Sequence, residues 1–322
     1  MKKLLTMILS ILMILTLGAC SSEQGSSQEE EEKSFTVGVV QLVQHVALDA
    51  ATNGFIDALK EELDNVDIIV KNASGEPANC SVIVDGFIQD NVDLIMANAT
   101  PALQAAAAAT GDIPILGTSV TEYGVALEIE DFNGTVGSNI SGTSDLAPLD
   151  EQAQMILDLF PECQKVGILY CSAEANSIYQ VKVVREYLEE RGITVNVSPF
   201  ADSNDIAQTV TDLCADSDVI YVPTDNAAAS CAETIASIVL PNRIPVITGE
   251  EGPCAVCGVA SLTIDYYTLG FETGKMAARV LKGEADISSM PIQYYPDPVK
   301  KYNREICEQL NVTVPEDYIA IE

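Results

Sequence analysis

From Phe35 onward the chain alternates short β-rich runs with amphipathic helical stretches, and it does so in two separate series. The first series predicts strands over 35–40, 66–70, 93–97 and 113–117, with helices over 47–63, 78–89 and 101–110 between them. The second predicts helices over 149–159, 177–191, 205–215 and 227–239, alternating with strands over 165–170, 193–198, 219–222 and 245–248. Strands separated by a helix are joined by crossovers, so they lie parallel, and the helices cover both faces of the sheet. Two series of similar size predict an α/β protein of two doubly wound parallel-sheet lobes joined by a hinge. The less regular, Gly-bearing segment 125–144 reads as a crossing between them. A further strong helix over 265–281 is expected to return to the first lobe, and the irregular remainder to cross back. Lobe 1 is then 35–146 plus 264–288, and lobe 2 is 147–263 plus 289–322.

The stretch before Phe35 has a different character. Lys2 and Lys3 lead into an apolar run that ends in Leu17-Gly18-Ala19-Cys20. A charged start, an apolar middle and small residues before a cut site make a secretory signal over 1–19. The small residues followed by Cys20 resemble the lipobox of bacterial lipoproteins, which would make Cys20 the lipidated N-terminus. Each buried CH₂ contributes roughly 0.8 kcal/mol, and stable anchoring takes more than one chain, which a diacylated cysteine supplies. Residues 20–34 are rich in Ser, Gln and Glu and read as a tether without a core. The expected location is therefore extracytoplasmic, lipid-anchored at the outer face of the cell membrane.

Charge and composition exclude several function classes. Asp and Glu number 48 against 16 Lys and Arg, for a net charge of −32. Such a surface repels phosphate backbones, so nucleic acid is not an expected partner. His45 is the single histidine, so no multi-histidine metal site exists and no metal or other cofactor is expected. If Cys20 carries lipid, eight cysteines remain, and several sit in patterns of buried residues that favour free thiols. Cys254 and Cys257 form one CxxC without a second pair to complete a zinc site. No GxGxxG follows the first strand, and neither a P-loop nor a GxSxG elbow occurs, so an enzyme is not expected.

In open parallel α/β sheets ligands bind beyond the carboxyl ends of the strands. There the first half offers His45, Thr100, Pro101, Thr118 and Ser119. The second half offers Asn176, Asp225, Asn226 and Glu251. Small hydroxyls on one side, with acids and amides on the other, suit a zwitterion. Thr100 before Pro101 fits the N-cap and N1 positions of a helix, where a hydroxyl and free N–H groups can hold a carboxylate. Thr118 and Ser119 can add donors, and Asp225 or Glu251 can accept from an ammonium.

The same segments carry a resemblance. His45-Val46-Ala47-Leu48-Asp49, Ala99-Thr100-Pro101, Gly117-Thr118-Ser119-Val120 and Ser144-Asp145-Leu146 occur in the order found in one family. So do Ala173-Glu174-Ala175-Asn176-Ser177, Tyr221-Val222-Pro223-Thr224-Asp225-Asn226, and Ile264-Asp265-Tyr266-Tyr267 with Gly270 and Gly274. The chain resembles the ABC-transporter substrate-binding lipoproteins of the tryptophan/tyrosine type. The resemblance implies a periplasmic-binding-protein-like fold of type I. It implies capture of an amino acid, with Trp, Tyr and Phe foremost, by closure of the two lobes, and adds Asp265 to the ligand contacts. It also implies delivery to an ABC permease and its ATPase by a monomer. Val46, where the family commonly has Pro, and 253–258, where it commonly has a Gly-rich stretch, depart from the pattern near the cleft. A sensor or receptor lipoprotein for another small ligand, such as a nucleoside or sugar, is the alternative reading.

Overall fold

The computed structural model describes residues 34–321. The expected signal sequence, the lipidated Cys20 and the tether up to residue 33 lie outside the described residues. Two sheets organise the rest. The first has six strands in the order β11-β5-β4-β3-β1-β2. These are β1 (Phe35–Gln41), β2 (Val66–Asn72), β3 (Leu94–Asn98), β4 (Ile115–Val120), β5 (Ile140–Ser144) and β11 (Gln293–Tyr294). Every pairing in it is parallel. The second has seven, in the order β13-β12-β10-β9-β8-β6-β7. They are β6 (Lys165–Cys171), β7 (Thr194–Phe200), β8 (Val219–Val222), β9 (Val246–Thr248), β10 (Ala260–Thr263), β12 (Val299–Tyr302) and β13 (Ile319–Ala320). Only β10 and β12 pair antiparallel.

Both sheets are wound alike. β1 lies between β2 and β3, as β6 lies between β7 and β8, so the strand order reverses at β1/β3 and again at β6/β8. Each reversal opens a crevice beyond the carboxyl ends of the two strands.

The helices cover both faces of each sheet. In the first lobe these are α1 (Val46–Glu62), α2 (Pro77–Gln89), α3 (Thr100–Ala109) and the short α4 (Tyr123–Ala126). The second lobe has α5 (Leu149–Leu159), α6 (Ala175–Glu189), α7 (Ile206–Ala215), α8 (Asn226–Ser230), α9 (Ala232–Val239) and α10 (Glu251–Cys257). α11 (Tyr266–Leu281) returns to the first sheet, and α12 (Arg304–Leu310) completes the second. Strand alternation sorts the cores. Phe35, Val37 and Val39 of β1 meet Phe55 and Leu59 of α1 and Met276 of α11. Val40 joins Phe87 and Leu103 on the other face. In β6, Val166 and Ile168 meet Ile156, Val184 and Leu188, while Leu169 and Cys171 meet Leu213, Ile235 and Val239.

The chain passes between the sheets three times, at 145–148, 264–265 and 295–298. Three differences from the sequence reading stand out. Segment 125–144 is not all crossing, because Ile140–Ser144 is a strand of the first sheet. Its Gly142, at φ 149°, and its small hydroxyls hide the β pattern. Residues 293–294, expected in lobe 2, extend the first sheet beside β5. The helix expected over 227–239 is two helices that meet at Cys231. All eight described cysteines are free, six of them buried.

Candidate functional site

The residues at the two sheet reversals face one another across a cleft. His45 ends the loop after β1, and Asn226 follows β8. His45 Nε2 lies 3.2 Å from Asn226 Oδ1, linking the first lobe to the second. The Asn226 amide nitrogen donates to Glu174 Oε2 at 2.6 Å, so Oδ1 is left to accept from the imidazole. Burial holds the His45 pKa below its ordinary value, against the pull of Asn226 and Asp49, and the ring is neutral near pH 7.

Glu174, in the turn between β6 and α6, anchors the second-lobe side. Its carboxylate accepts from the backbone N–H groups of Asn226 and Ala227 and from the side-chain amides of Asn176 and Asn226. Asp225 accepts from Cys171 N at 2.6 Å and Ala228 N at 2.8 Å, and so caps α8. These two acids are buried and already well supplied with donors. Burial and mutual repulsion push Glu174 up to about 7; burial likewise raises Asp225. Asn176 gives its amide hydrogens to Glu174 and to the Thr224 carbonyl, while its Oδ1 is buried without a partner. Gln180 holds the Thr224 backbone at both N–H and C=O, which fixes the loop carrying Asp225.

The first-lobe side presents hydroxyls. Ala99 sits at φ 93° and ψ 156°, a conformation rare outside glycine, and throws Thr100 onto the first turn of α3. Thr100 is therefore inside the helix, not its N-cap as the sequence suggests. Its Oγ1 is buried and makes no hydrogen bond. Pro101 follows in the first turn, where a missing N–H costs nothing. Ser119 lies at a β-bulge of β4 with φ 54°, and its Oγ is also buried and unpartnered. Leaving a buried polar group unpaired costs about 1–3 kcal/mol. Thr100 and Ser119 in the first lobe and Asn176 in the second thus keep buried oxygens without partners beyond strand ends.

A third group stands where the chain crosses. Asp145 follows β5, Glu250 follows β9, and Tyr266 opens α11. The Tyr266 hydroxyl donates to Asp145 Oδ2 at 3.0 Å, while Asp145 Oδ1 is buried and unpartnered. Glu250 is 2% exposed, and its carboxyl accepts no hydrogen bond from a described residue. Burial pushes the Asp145 carboxyl up to about 6. Burial, with the negative charges of Asp145, Asp225 and Glu174, raises Glu250 well above the ordinary carboxylate range. None of these four acids makes an ion pair among the described residues.

Other residues picked from the sequence have partners within the protein. The Thr118 hydroxyl joins a chain with Thr143 and Thr273 that ties the first sheet to α11. Glu251 is half-exposed and ion-paired with Lys301 at 2.5 Å. Asp265 caps α11 by accepting from Thr268 N at 2.6 Å. Sequence reasoning did not single out Asp145, Glu174, Glu250 or Tyr266 as site residues. Their neighbours look equivalent in sequence, and a one-residue step along a strand end moves a side chain to the other face. Beside the Glu174–Asn226 pair, a cavity of about 270 Å³ opens between Val43 and Pro101 on one lobe and Ala173 and Asn226 on the other.

The geometry is that of a two-lobed solute-binding protein, and comparison with known proteins agrees. The family model described as ABC transporter substrate binding protein matches residues 36–321, and the chain belongs to that family. Its fold is the periplasmic-binding-protein-like type I fold. Over 305 residues it is 34% identical to the tyrosine-binding protein of Clostridioides difficile strain R20291, covering 90% of this chain and 87% of that one. A Streptococcus pneumonia domain solved in complex with L-Trp superposes with a TM-score of 0.84 at 33% identity, covering 88% and 97% of the two chains. The ligand-free, open structure of a substrate-binding protein with adhesive properties from Clostridium difficile gives 0.68 at 35% identity, covering 89% and 99%.

Proposed function

We propose that this protein is the extracytoplasmic, lipid-anchored binding component of an ABC importer for an amino acid, with the aromatic ones foremost. The carrying observation is that buried oxygens without partners stand at strand ends of both lobes, those of Thr100 and Ser119 in the first and of Asn176 in the second among them. Thr100 and Ser119 on the first lobe are hydroxyl donors, suited to a carboxylate. Asn176 Oδ1 and the acids of the second lobe and the crossings are acceptors, suited to an ammonium. A zwitterion satisfies both sides and bridges the lobes. The tyrosine-binding relative and the L-Trp complex support an aromatic side chain. A charge-assisted hydrogen bond contributes about 1.5–3 kcal/mol, so a few of them with buried ring area reach micromolar affinity, near −8 kcal/mol.

In this reading ligand entry excludes water, the lobes close over it through the three crossings, and the closed form docks on the permease. The chain catalyses no reaction. A lipid on Cys20 keeps the binding lobes at the membrane face where the permease sits.

The test is a thermal-shift screen of the purified protein against all amino acids, nucleosides and common sugars. A ligand at a hundred times its Kd stabilises by about 2.7 kcal/mol. A rise in Tm with Tyr, Trp or Phe is expected. A rise with sugars or nucleosides alone would replace the amino-acid reading with the receptor alternative.

A further inference from the structure

We propose that Glu250, with Asp145 behind it, is the ammonium subsite of the cleft and exchanges a bound proton for the ligand's cationic group. The inference rests on the amino-acid reading and names the acid that takes the ammonium. The other two acids are poor candidates. Glu174 accepts four hydrogen bonds and Asp225 is held by two backbone N–H groups, so the oxygens of each are already engaged by protein donors. Glu250 has no such donors, though it is 2% exposed. Asp145 is 4% exposed and keeps one oxygen, Oδ1, without a partner.

The charged groups around Glu250 are Asp145, Asp225 and Glu174, all acidic, and the nearby Tyr266 phenol is committed to Asp145. Its sequence neighbour Glu251 takes Lys301, so that cation is not free to serve Glu250. A carboxylate so placed has no counter-ion among the described residues. Without ligand it holds a proton. When an amino acid enters, its –NH3⁺ replaces that proton: the Glu250 O–H bond breaks, the proton leaves to solvent, and the carboxylate accepts from the ammonium. The charge of the site is unchanged by the exchange. Uptake therefore releases a proton, and affinity rises with pH until the ammonium itself titrates.

The experiment is isothermal titration of the purified protein with L-tyrosine at pH 7, in phosphate and in Tris. These buffers differ in ionisation enthalpy, so the difference in heat counts protons. Repeats at pH 5.5 and pH 8 give the slope of affinity. The wild type is expected to release between half and one proton, with Kd rising several-fold toward pH 5.5. Glu250→Gln is expected to bind at least about tenfold more weakly, release no proton and lose the pH slope, with an unfolding midpoint no lower than wild type. Glu251→Gln, next in sequence, is expected to keep release and slope. Binding of L-tyrosine without proton release, or release that persists in Glu250→Gln, would overturn this assignment and leave the amino-acid reading standing. Failure of the wild type to bind L-tyrosine or L-tryptophan at any of the three pH values would overturn both.

Discussion

A buried acid that lacks donors differs from one that has them, and the two kinds sit side by side in this cleft. Asp145 shows the consequence for stability. Its pKa is raised from 3.8 to about 6, first by burial. A carboxyl raised in the folded state binds more protons there than in the unfolded chain, so its effect is most stabilising in acid. That stability is lost as pH rises from about 4 through 6. A shift of this size corresponds to about 3 kcal/mol. Ligand-free protein is therefore expected to resist urea better at pH 5 than at pH 8, and Asp145→Asn to reduce that difference, the raised Glu174 and Glu250 supplying the remainder. The exposed ion-paired acids Asp216, Glu62 and Asp317 are shifted the opposite way, so what they contribute is present throughout this range and is lost only as pH falls below the ordinary carboxylate values. Equal resistance at pH 5 and pH 8 in the wild type would contradict the role given to Asp145. None of this was legible in the sequence. Glu250 and Glu251 are adjacent glutamates, and only the fold buries one and hands the other to Lys301.

Elements were far more legible than side chains. The βα alternation places most strands and helices of both lobes, because apolar period and turn residues are local properties. What it missed was set by distant packing. Four of the five residues of β5 are glycine or hydroxyl residues, and it becomes a strand because β4 and β11 flank it. Conversely, Gly270 was visible as part of a motif, and the structure supplies its reason. A Cβ there would stand 1.9 Å from the carbonyl oxygen of Ala51, and one on Gly54 would stand 2.1 Å from that of Tyr267. α1 and α11 therefore touch backbone to backbone. Gly270→Ala must push the helices apart, and overpacking of a tight core costs about 1–3 kcal/mol, occasionally more. A loss at or above the top of that range is expected from chemical denaturation. Gly86→Ala is the control: it lies within α2 with nothing within 4 Å of the added methyl. Helix propensity predicts a gain of about 0.5–1 kcal/mol there. Destabilisation by Gly86→Ala as large as by Gly270→Ala would show that the close helix contact is not the cause.

At the scale of the whole molecule the lobe arrangement itself is informative. This structure superposes on the L-Trp complex with a TM-score of 0.84 and on the ligand-free, open relative with 0.68, although the identities are 33% and 35%. We infer that the arrangement described is nearer to closed, since His45 and Asn226 are in contact from opposite lobes. Closure brings His45 of one lobe to Asn226 of the other, and Asn226 is held in turn by Glu174. It also buries acids at the lobe crossings and in the second lobe that have no counter-ion among the described residues, and the cost of burying or protonating them opposes closure until the ammonium arrives. The balance between one neutral hydrogen bond and the cost of burying these acids therefore favours the open form in the absence of ligand. A neutral hydrogen bond contributes only about 0.5–1.5 kcal/mol net. Small-angle scattering is expected to show a larger radius of gyration for the ligand-free protein, and contraction on adding a ligand found by thermal shift. His45→Ala removes the latch without touching the acids. It should leave the open form unchanged and weaken binding by about threefold to tenfold, the equivalent of that one bond. If scattering profiles with and without a proven ligand coincide, closure is not the response to binding. The acids of the cleft must then be buried to the same extent with and without ligand.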